Sequence, residues 1–369
     1  MSTLKSINVI HPSSAVNNIV NDASGNVAVG NNLTVAGTST ISGTLTMGSS
    51  FKRNRIINGN MLIDQRNAGA SGTTVNAFTV DRWTYQASQA SKGTWGQNLN
   101  SVSPVSATAQ SSYLGFQSSS AYSVLSSDAF SFYQPIEGFN CYDLQWGTVN
   151  AKTVTLSFWV YSSLTGTFGG SLKYYGLNIS YPFSYTVSSA NTWTFVTITI
   201  PGYVTTALPS STSGGALVVN IGLGVGTTQS GTAGSWATSA YISATGAVSV
   251  VGTSGATFYI TGVQLEVGTK ATPYEMQIYS DQLAQCQRYY QIGQFGQAGY
   301  ILNLTAMFYH QTLAVNMRAA PTMATSSVSS TNLNSLALNS YAGQIQIYGI
   351  GASTGGAYYY GNFTASAEL

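Results

Sequence analysis

Apolar and polar residues alternate with a period of two in many short runs of this chain. Clear examples are residues 153–160 (TVTLSFWV) and 193–200 (WTFVTITI), with turn signals such as Gly214-Gly215 and Gly231 between other runs. Successive side chains of a strand point to opposite faces, so this pattern is typical of antiparallel sandwiches with one face of each strand in a core. We therefore predict an all-β fold.

One segment has helical periodicity instead. Ser280 is a candidate N-cap, and Asp281 suits the positive N-terminal end of a helix. Leu283, Cys286 and Tyr290 fall on one face at helical spacing. The pattern predicts a short helix within residues 279–292 that connects two β domains.

Residues 25–48 form four hexads, GNVAVG, NNLTVA, GTSTIS and GTLTMG. Position one is Gly or Asn, which tolerate a positive φ at a corner, and positions three and five carry apolar side chains except at Ser39. A single-chain β-helix needs roughly three such strands for one coil, so one copy cannot bury its own apolar row. We predict a homotrimeric stalk over residues 24–50. Its core would contain Val27, Val29, Leu33, Val35, Ile41, Leu45 and Met47.

A flexible Gly/Ser/Thr linker is the alternative to the stalk, but it would not keep its aliphatic residues in phase. Residues 1–23 then form an attachment segment ahead of the stalk. This segment has no apolar core of a signal peptide, and no part of the chain approaches eighteen uninterrupted apolar residues. We expect synthesis in a cytoplasm and no membrane insertion.

Formal charge is scarce, with 12 Lys and Arg, 10 Asp and Glu and a net charge of +2. The charged residues between Ser101 and Ile260 are Asp128, Glu137, Asp143, Lys152 and Lys173. The lack of a basic stripe argues against nucleic-acid binding. A surface this neutral either packs against copies of itself or presents hydroxyls and amides to an uncharged polar ligand.

Catalytic and metal-binding patterns are poorly represented. Cys141 and Cys286 lie far apart without a CxxC motif, which favours buried free thiols over a disulfide or zinc site, and no cofactor is expected. The chain lacks G-x-S-x-G, HExxH, Walker and DxDxDG motifs. Asp128, Glu137 and Asp143 could supply a glycosidase pair, but solubility explains them equally well. We therefore do not expect an enzyme.

Two clusters of charged motifs bracket the neutral region, NRIING, DQR and DRW before it and QLEVG and ATPYE after it. Because an isolated buried guanidinium is very costly, these charges are expected to pair with one another. The arginines Arg55, Arg66 and Arg82 would pair with Asp64 and Asp81, and Glu266 would meet one of them. We interpret these six residues as a structural clasp.

Six segments of the chain resemble tail-fibre and related fibre proteins of tailed bacteriophages. These are NRIINGNMLIDQRNAG from Asn54, DRW at Asp81, GVQLEVGTKATPYE from Gly262, CQRYYQ at Cys286, MRAAPT at Met317 and the final ASAEL. The resemblance implies a homotrimer with a jelly-roll sandwich similar to carbohydrate-binding modules over residues 51–278. A helix and a smaller β-sandwich over residues 293–369 would follow.

The resemblance also implies a location in the virion, with the N-terminal segment docked on other virion proteins. A capsid-attached head fibre or decoration protein fits the same architecture. A polysaccharide depolymerase and a bacterial surface adhesin are further alternatives, the latter disfavoured by the missing secretion signal.

Binding of a host-surface polysaccharide would require aromatic faces flanked by hydroxyls and amides. The chain has 24 tyrosines. Our candidates for receptor contact are Tyr174, Tyr175, Tyr358, Tyr359, Tyr360 and Trp236. Packing between chains is the alternative for both tyrosine clusters, and a loop anchor is the alternative for Trp236.

Overall fold

The computed structural model describes residues 19–21, 27–29, 52–105 and 110–369. The chain separates into two compact units, residues 1–48 and 49–369. In the first unit, β1 (Ile19–Asn21) and β2 (Val27–Val29) form an antiparallel pair. Val27 and Val29 of the predicted stalk therefore lie in a strand. The other predicted stalk positions, Leu33, Val35, Ile41, Leu45 and Met47, lie outside the described residues, so the trimeric stalk stays a prediction.

The second unit begins with the strands of a large sandwich. They are β3 (Ala77–Val80), β4 (Trp83–Ala87), β5 (Gly93–Gln97), β6 (Leu114–Ser118), β7 (Ala129–Glu137), β8 (Val154–Ser162), β9 (Gly166–Tyr174), β10 (Ser180–Val187), β11 (Thr194–Ile200), β12 (Gly215–Val225), β13 (Ser230–Gly231), β14 (Ser243–Ala244) and β15 (Thr257–Val267). Short 3-10 turns occur at Leu99–Ser101, Gly138–Asn140 and Tyr142–Leu144.

These strands form two antiparallel sheets with the jelly-roll architecture. The six-stranded sheet has the order β10-β9-β12-β7-β4-β3, and the five-stranded sheet has the order β11-β8-β15-β6-β5. The strands β13 and β14 form a separate parallel pair. The sequence prediction of an all-β fold is confirmed.

The predicted alternation explains the core between the two sheets. In β8, Leu156, Phe158 and Val160 are fully buried. The Phe158 ring meets Tyr185 of the opposite sheet edge to face, with 5.1 Å between the ring centroids. Full burial of a large apolar side chain contributes about 1.5–3 kcal/mol, so this interface is the main source of stability of the sandwich.

The predicted helix is present as α1 (Tyr279–Gln287), but its limits differ from the prediction. Ile278 is the N-cap residue, and its carbonyl accepts from the backbone N–H groups of Asp281 and Gln282, so Ser280 lies inside the helix and is not its cap. Tyr290 is not on the helical face, because it begins the next strand and pairs with Ser366.

The C-terminal sandwich begins with that strand, before the predicted boundary at residue 293. It consists of β16 (Tyr290–Ile301), β17 (Ala306–Thr312), β18 (Thr322–Thr331), β19 (Leu333–Ser340), β20 (Gln344–Gly351) and β21 (Gly355–Ser366). Its two sheets have the orders β16-β21-β18 and β17-β20-β19. The buried Tyr359 of β21 joins them, because the carbonyls of Met307 and Ile347 in the other sheet share the proton of its hydroxyl, at 3.0 and 2.9 Å.

Candidate ligand-binding surface

The outer face of the five-stranded sheet carries large aromatic side chains. The strand phase that buries Leu156 and Phe158 places Trp159 and Tyr161 on the opposite face, where both remain partly exposed. Phe195 of β11 lies directly across from Trp159, with ring centroids 5.2 Å apart and an interplanar angle of 45°. Phe195 is 46% exposed. Aromatic rings on the solvent side of a sheet are available for contact with a ligand.

Trp193 extends this aromatic surface toward the other end of the sheet. Its ring lies 5.5 Å from Tyr161, at an interplanar angle of 61°. The Trp193 indole Nε1 donates to the Ser103 carbonyl at 2.9 Å, which fixes the ring against a neighbouring loop. The hydroxyl of the neighbouring Tyr259 accepts a hydrogen bond from the Asn100 side-chain amide at 3.0 Å. These polar contacts orient the surface before any ligand arrives.

Two recesses lie on this surface, and Trp159 lines both of them. The first has a volume of about 470 Å³ and is bounded by Gln110, Ser157, Phe195 and Thr272. The second has a volume of about 660 Å³, and its lining includes Ser103, Tyr161, Asn191, Thr192 and Trp193. Among the described residues, no charged side chain lines either recess. We call the two recesses together the groove.

A glycine in β15 keeps the groove open beside Trp159. The register of β15 against β8 shifts between Thr261 and Gln264, and Gly262 within this bulge has a φ of +62°. A Cβ atom at Gly262 would lie 3.3 Å from Cδ1 of Trp159 and would strain the backbone. Glycine adopts this conformation without a steric penalty and leaves the Trp159 edge free.

Partly buried hydrogen bonds of the second motif cluster hold the wall of the first recess. The Glu266 carboxylate accepts from the backbone N–H of Thr272 at 2.8 Å and from the Thr272 hydroxyl at 2.7 Å. The Gln264 side-chain oxygen accepts from the Glu275 backbone N–H at 2.8 Å. Glu266 also lies 3.5 Å from Nε of Arg53. Glu266 was expected to meet Arg55, Arg66 or Arg82, and its cation is Arg53 instead.

The other charges of the predicted clasp also find different partners. Arg55 pairs with Asp143 at 2.7 Å and donates to the Asn140 carbonyl. Asp64 accepts from the backbone N–H groups of Asn67 and Gly69 and so stabilises a turn. The expected pairing of Arg55 with Asp64 or Asp81 is therefore wrong, because the fold brings a residue from a distant 3-10 turn to Arg55.

Asp81 is buried, and it accepts hydrogen bonds from the backbone and side-chain amides of Gln65. Burial raises the pKa of Asp81 to about 6, although the Gln65 hydrogen bonds and the nearby charge of Arg66 act in the opposite direction.

Arg66 and Arg82 share one carboxylate, that of Glu368. The Arg66 guanidinium also lies over the Tyr290 ring at 3.6 Å, and that of Arg82 lies over Tyr289 at 3.5 Å. The clasp thus joins the large sandwich to the residues that follow β21 and to the start of β16. Arg66 and Arg82 were expected to pair with Asp64 and Asp81 of the same motif cluster. Their salt-bridge partner is Glu368, near the other end of the chain.

The tyrosine candidates divide into packed and exposed side chains. Tyr174 is fully buried and stacks on Trp146, and its hydroxyl donates to the Thr206 carbonyl. Tyr359 lies in the C-terminal core, as described above. Tyr175 is 37% exposed. Tyr174 and Tyr359 are therefore corrected to core residues, because neighbouring residues of a strand face opposite sides.

Trp236 packs within an aromatic cluster. Its ring centroid lies 5.0 Å from Tyr203 and 5.4 Å from Tyr181, and its Nε1 donates to the Pro201 carbonyl at 2.9 Å. These contacts correspond to the loop anchor that was the alternative for Trp236. The structure therefore favours the loop anchor, and receptor contact through the partly exposed Trp236 stays a prediction.

Tyr358 and Tyr360 face outward from β21, at 39% and 53% exposure. Their rings stack with centroids 5.9 Å apart and border a shallow recess of about 480 Å³ next to Gly296 and Ala298. They remain candidates for contact with a receptor or with a second chain.

The candidate carboxylates of an enzyme have separate partners. Asp128 accepts from Ser88, Tyr122 and the backbone of Leu125. The buried Glu137 accepts from Nε of Arg288 at 2.9 Å and from the Tyr289 hydroxyl at 2.5 Å. Neither residue lines the groove.

Buried groups elsewhere have simple roles. Cys141 and Cys286 are buried free thiols, as predicted, and burial raises the pKa of the Cys141 thiol to about 12. Within the described residues, no helix is long and apolar enough to cross a membrane. The described part of the chain also contains no group of three or more His, Cys, Asp or Glu side chains placed to hold a metal ion.

Sequence patterns alone did not identify Trp159, Tyr161, Trp193 and Phe195 as site residues. The signal was present, because Trp159 follows Thr155 and Ser157 on the polar phase of a run whose other phase is Val154, Leu156, Phe158 and Val160. A tryptophan on the hydroxyl-bearing face of a strand is the feature that identifies the groove.

No family model and no curated protein matches this chain. Among solved structures, the enzymatically active domain of bacteriophage CBA120 tailspike protein 4 matches with 14% identity and a TM-score of 0.31. That match covers 58% of this chain and only 21% of the tailspike chain.

The family 11 carbohydrate-binding module of Clostridium thermocellum, in complex with a β-1,3-1,4-mixed-linked tetrasaccharide, matches with 10% identity and a TM-score of 0.26. The match covers 55% of this chain and 98% of the module. TmCBM61, in complex with β-1,4-galactotriose, matches with 11% identity and a TM-score of 0.31, over 58% of this chain and 99% of the other. At these identities and TM-scores, the matches indicate no function for this chain.

Proposed function

We propose that this protein is a non-enzymatic fibre protein of a tailed bacteriophage that attaches the virion to a neutral polysaccharide of the host surface. The observation that carries the proposal is the groove, which combines Trp159, Trp193 and Phe195 with hydroxyls and amides. Its lining, as far as the structure describes the chain, includes no charged side chain. Such a lining matches the chemistry of an uncharged sugar chain.

Each part of the groove has a physical role in this binding. The C–H faces of a sugar ring pack on aromatic faces, and Trp159 offers an indole ring to both recesses. Ser157, Thr272, Asn191 and Thr192 supply neutral donors and acceptors for sugar hydroxyls. Because no ionic contact is involved, salt should have little effect on affinity.

The fibre role is supported by the six segments that resemble phage fibre proteins and by the hexad repeat. A homotrimer would present three grooves, and simultaneous binding would raise the effective affinity well above that of one site. The N-terminal segment would dock on other virion proteins. A head fibre or decoration protein would use the same groove. It would differ from a tail fibre in its place of attachment on the virion.

The non-enzymatic part of the proposal is supported by the carboxylates. A glycosidase needs two carboxyl groups that flank the scissile bond. Asp128 and Glu137 do not line the groove, and Asp143 is paired with Arg55. The polysaccharide should therefore keep its length during prolonged incubation with the protein.

The test uses an immobilised panel of neutral capsular and O-antigen polysaccharides. The full chain should bind at least one of them, and Trp159→Ala should weaken this binding at least tenfold. Tyr300→Ala is the matched control, since Tyr300 is 75% exposed and lies outside the groove. Equal binding by folded Trp159→Ala protein, or no retention by any panel member, would overturn the proposal. Shortening of the bound polysaccharide would overturn its non-enzymatic part.

A further inference from the structure

We infer that the C-terminal sandwich contains a second binding site, which takes one terminal sugar unit of a neutral glycan on the ring of Tyr360. This site is separate from the groove and does not depend on the proposed function. The observations that support it are the open face of the Tyr360 ring, a small recess on that face and the polar side chains around the recess.

The ring of Tyr360 has one covered face and one open face. Tyr358 and Tyr360 project from the same side of β21, and their rings stack with an interplanar angle of 16°. Tyr358 therefore covers the face of the Tyr360 ring that is turned toward it. Because side chains alternate along a strand, the next residue on this side is Asn362. The open face of Tyr360, which is 53% exposed, is turned toward Asn362.

A recess of about 270 Å³ lies on this open face, and we call it the Tyr360 recess. Its lining includes Asn362 of β21, Gln294 of β16 and Ser327 of β18, so all three strands of the sheet contribute to it. Gln294 and Asn362 are register partners, so their side chains are neighbours across the sheet. Pockets for drug-sized ligands measure about 300–1,000 Å³, so the Tyr360 recess suits a single sugar unit. The rest of a glycan would extend into solvent, which makes the bound unit a terminal one.

A bulge in β18 places Ser327 at the recess. Ser326 pairs with Asn362 and Ser329 pairs with Tyr360, so two residues of β18 lie opposite one residue of β21. Ser327 is one of these two, and its φ of +53° is unfavourable for a residue with a side chain. Bulges and strained residues occur preferentially next to functional sites, where they redirect a side chain. The bulge therefore supports a binding role for the Tyr360 recess.

The polar side chains of the recess are free to bind a ligand. In the part of the chain that the structure describes, the side chains of Gln294, Ser327 and Asn362 have no hydrogen-bond partner. The two amides and the hydroxyl offer both donors and acceptors. The described lining of the recess contains no charged side chain. A neutral sugar unit matches this lining, because its C–H face packs on Tyr360 while its hydroxyls bind the amides.

The shallow recess on the other side of the tyrosine pair lacks such groups. Gly296 and Ala298 border the rings there, and Gln297 between them has the opposite strand phase. Neither Gly296 nor Ala298 has a polar side chain. Hydrogen-bond partners for a sugar are therefore concentrated on the side of the Tyr360 recess.

The experiment measures binding of single sugar units to the full chain by ligand-detected NMR. The probes are the methyl glycosides of glucose, galactose, mannose, rhamnose and N-acetylglucosamine. The Trp159→Ala protein is the parent, so that binding in the groove contributes little. At least one probe should bind this parent. An oligosaccharide that ends in the same unit should bind no more tightly, because the recess holds one unit.

Variants of the Trp159→Ala parent test the residues of the recess. Tyr360→Ala should weaken binding of the probe about tenfold, and Tyr360→Phe should retain it because the ring remains. Asn362→Ala should weaken binding about two- to tenfold through the loss of hydrogen bonds. Tyr300→Ala is the matched control, since Tyr300 is 75% exposed on the same sheet and does not line the recess. Thermal unfolding verifies that each variant is folded.

Three results would overturn this second site. They are the absence of binding by every probe, equal binding by the folded Tyr360→Ala and Asn362→Ala proteins, and binding by wild type that disappears in the Trp159→Ala parent. The last result would assign the sugar unit to the groove. Weaker association of the chains in Tyr360→Ala, with unchanged binding of the probe, would assign the ring to a contact between copies and would also overturn the site. Each of these results leaves the proposed function standing, because retention of a polysaccharide by the groove is measured separately.

Discussion

The guanidinium of Arg82 is paired with the carboxylate of Glu368, which lies 286 residues further along the chain. The Arg82 side chain is 1% exposed and that of Glu368 is 9% exposed. Arg66 donates to the same carboxylate at 2.7 Å. Because a buried guanidinium without a partner is very costly, this arrangement ties the residues that follow β21 to the first motif cluster of the large sandwich.

Replacement of Glu368 by Gln should destabilise the protein by about 3 kcal/mol, since it leaves Arg66 and Arg82 without a negative partner. Thermal and chemical denaturation would measure the loss. Asp281→Asn is the control, because Asp281 is exposed in the first turn of α1 and should contribute only about 0.3–1 kcal/mol. Equal stability of the two variants would contradict the role of Glu368.

The raised pKa of Asp81 predicts that the stability of the folded protein depends on pH. Its pKa rises from 3.8 to about 6 on folding, so the folded state binds this proton more tightly than the unfolded chain. Protonation of Asp81 therefore stabilises the folded state. This stabilisation is at most about 3 kcal/mol, is fully present below pH 3.8 and is lost as the pH rises through about 6.

Asp81→Asn should remove this part of the pH profile. The comparison is thermal unfolding of wild type and variant between pH 4 and pH 8, with the variant gaining relative stability toward the high end. Parallel profiles across this range would show that Asp81 does not titrate as described. The side-chain amide of Gln65 would have to rotate to accommodate the new amide, so the absolute stability is a separate measurement.

The hexad phase predicts that Val35 and Ile41 lie in the core of a trimeric stalk. Changing both to Asp should place unpaired charges in that core and weaken the association of the chains. Thr34→Asp with Thr40→Asp is the matched control, since these residues have the opposite phase in their hexads. Analytical ultracentrifugation distinguishes the oligomers, and a monomeric wild-type protein would refute the stalk.

Tyr358 and Tyr360 are predicted to contact the host receptor at the C-terminal sandwich. Removal of either ring should weaken adsorption to host cells by about five- to a hundredfold, because a ring stacked on a sugar contributes on the order of 1–3 kcal/mol. Adsorption of the Tyr→Ala trimers is measured with thermal unfolding as a control for folding. Unchanged adsorption with weaker trimer association would instead assign both rings to the contact between chains.

The strand pattern predicted more of the fold than of the site. Alternation alone identifies Phe158 as a core residue and places β8 and β11 in a sandwich, since it reflects a local property of the strand. The partner of Arg82 could not be predicted, because Glu368 approaches it only through the complete fold. The start of α1 was missed because its N-cap residue is Ile278, which makes no side-chain capping hydrogen bond and therefore leaves no signal in the sequence.

The sequence predicted only part of the candidate site, because the exposure of an aromatic side chain also depends on the complete fold. The sequence predicts that a glycan would bind through neutral aromatic surfaces, and it does not indicate which aromatic residues remain exposed. Tyr174 and Tyr359 are buried because of the phase of their strands, whereas Trp159 is exposed for the same reason. The two recesses additionally require Gly262 and the loop held by Glu266, which are long-range features.

The central claim is that the uncharged groove around Trp159 binds a neutral polysaccharide. Its most direct test is the affinity of the full chain and of Trp159→Ala for the retained polysaccharide at low and high salt. We predict that wild-type affinity changes less than twofold with salt, and that the variant binds at least tenfold more weakly at both concentrations. A steep loss of wild-type affinity with salt, or equal affinity of the folded variant, would contradict the account.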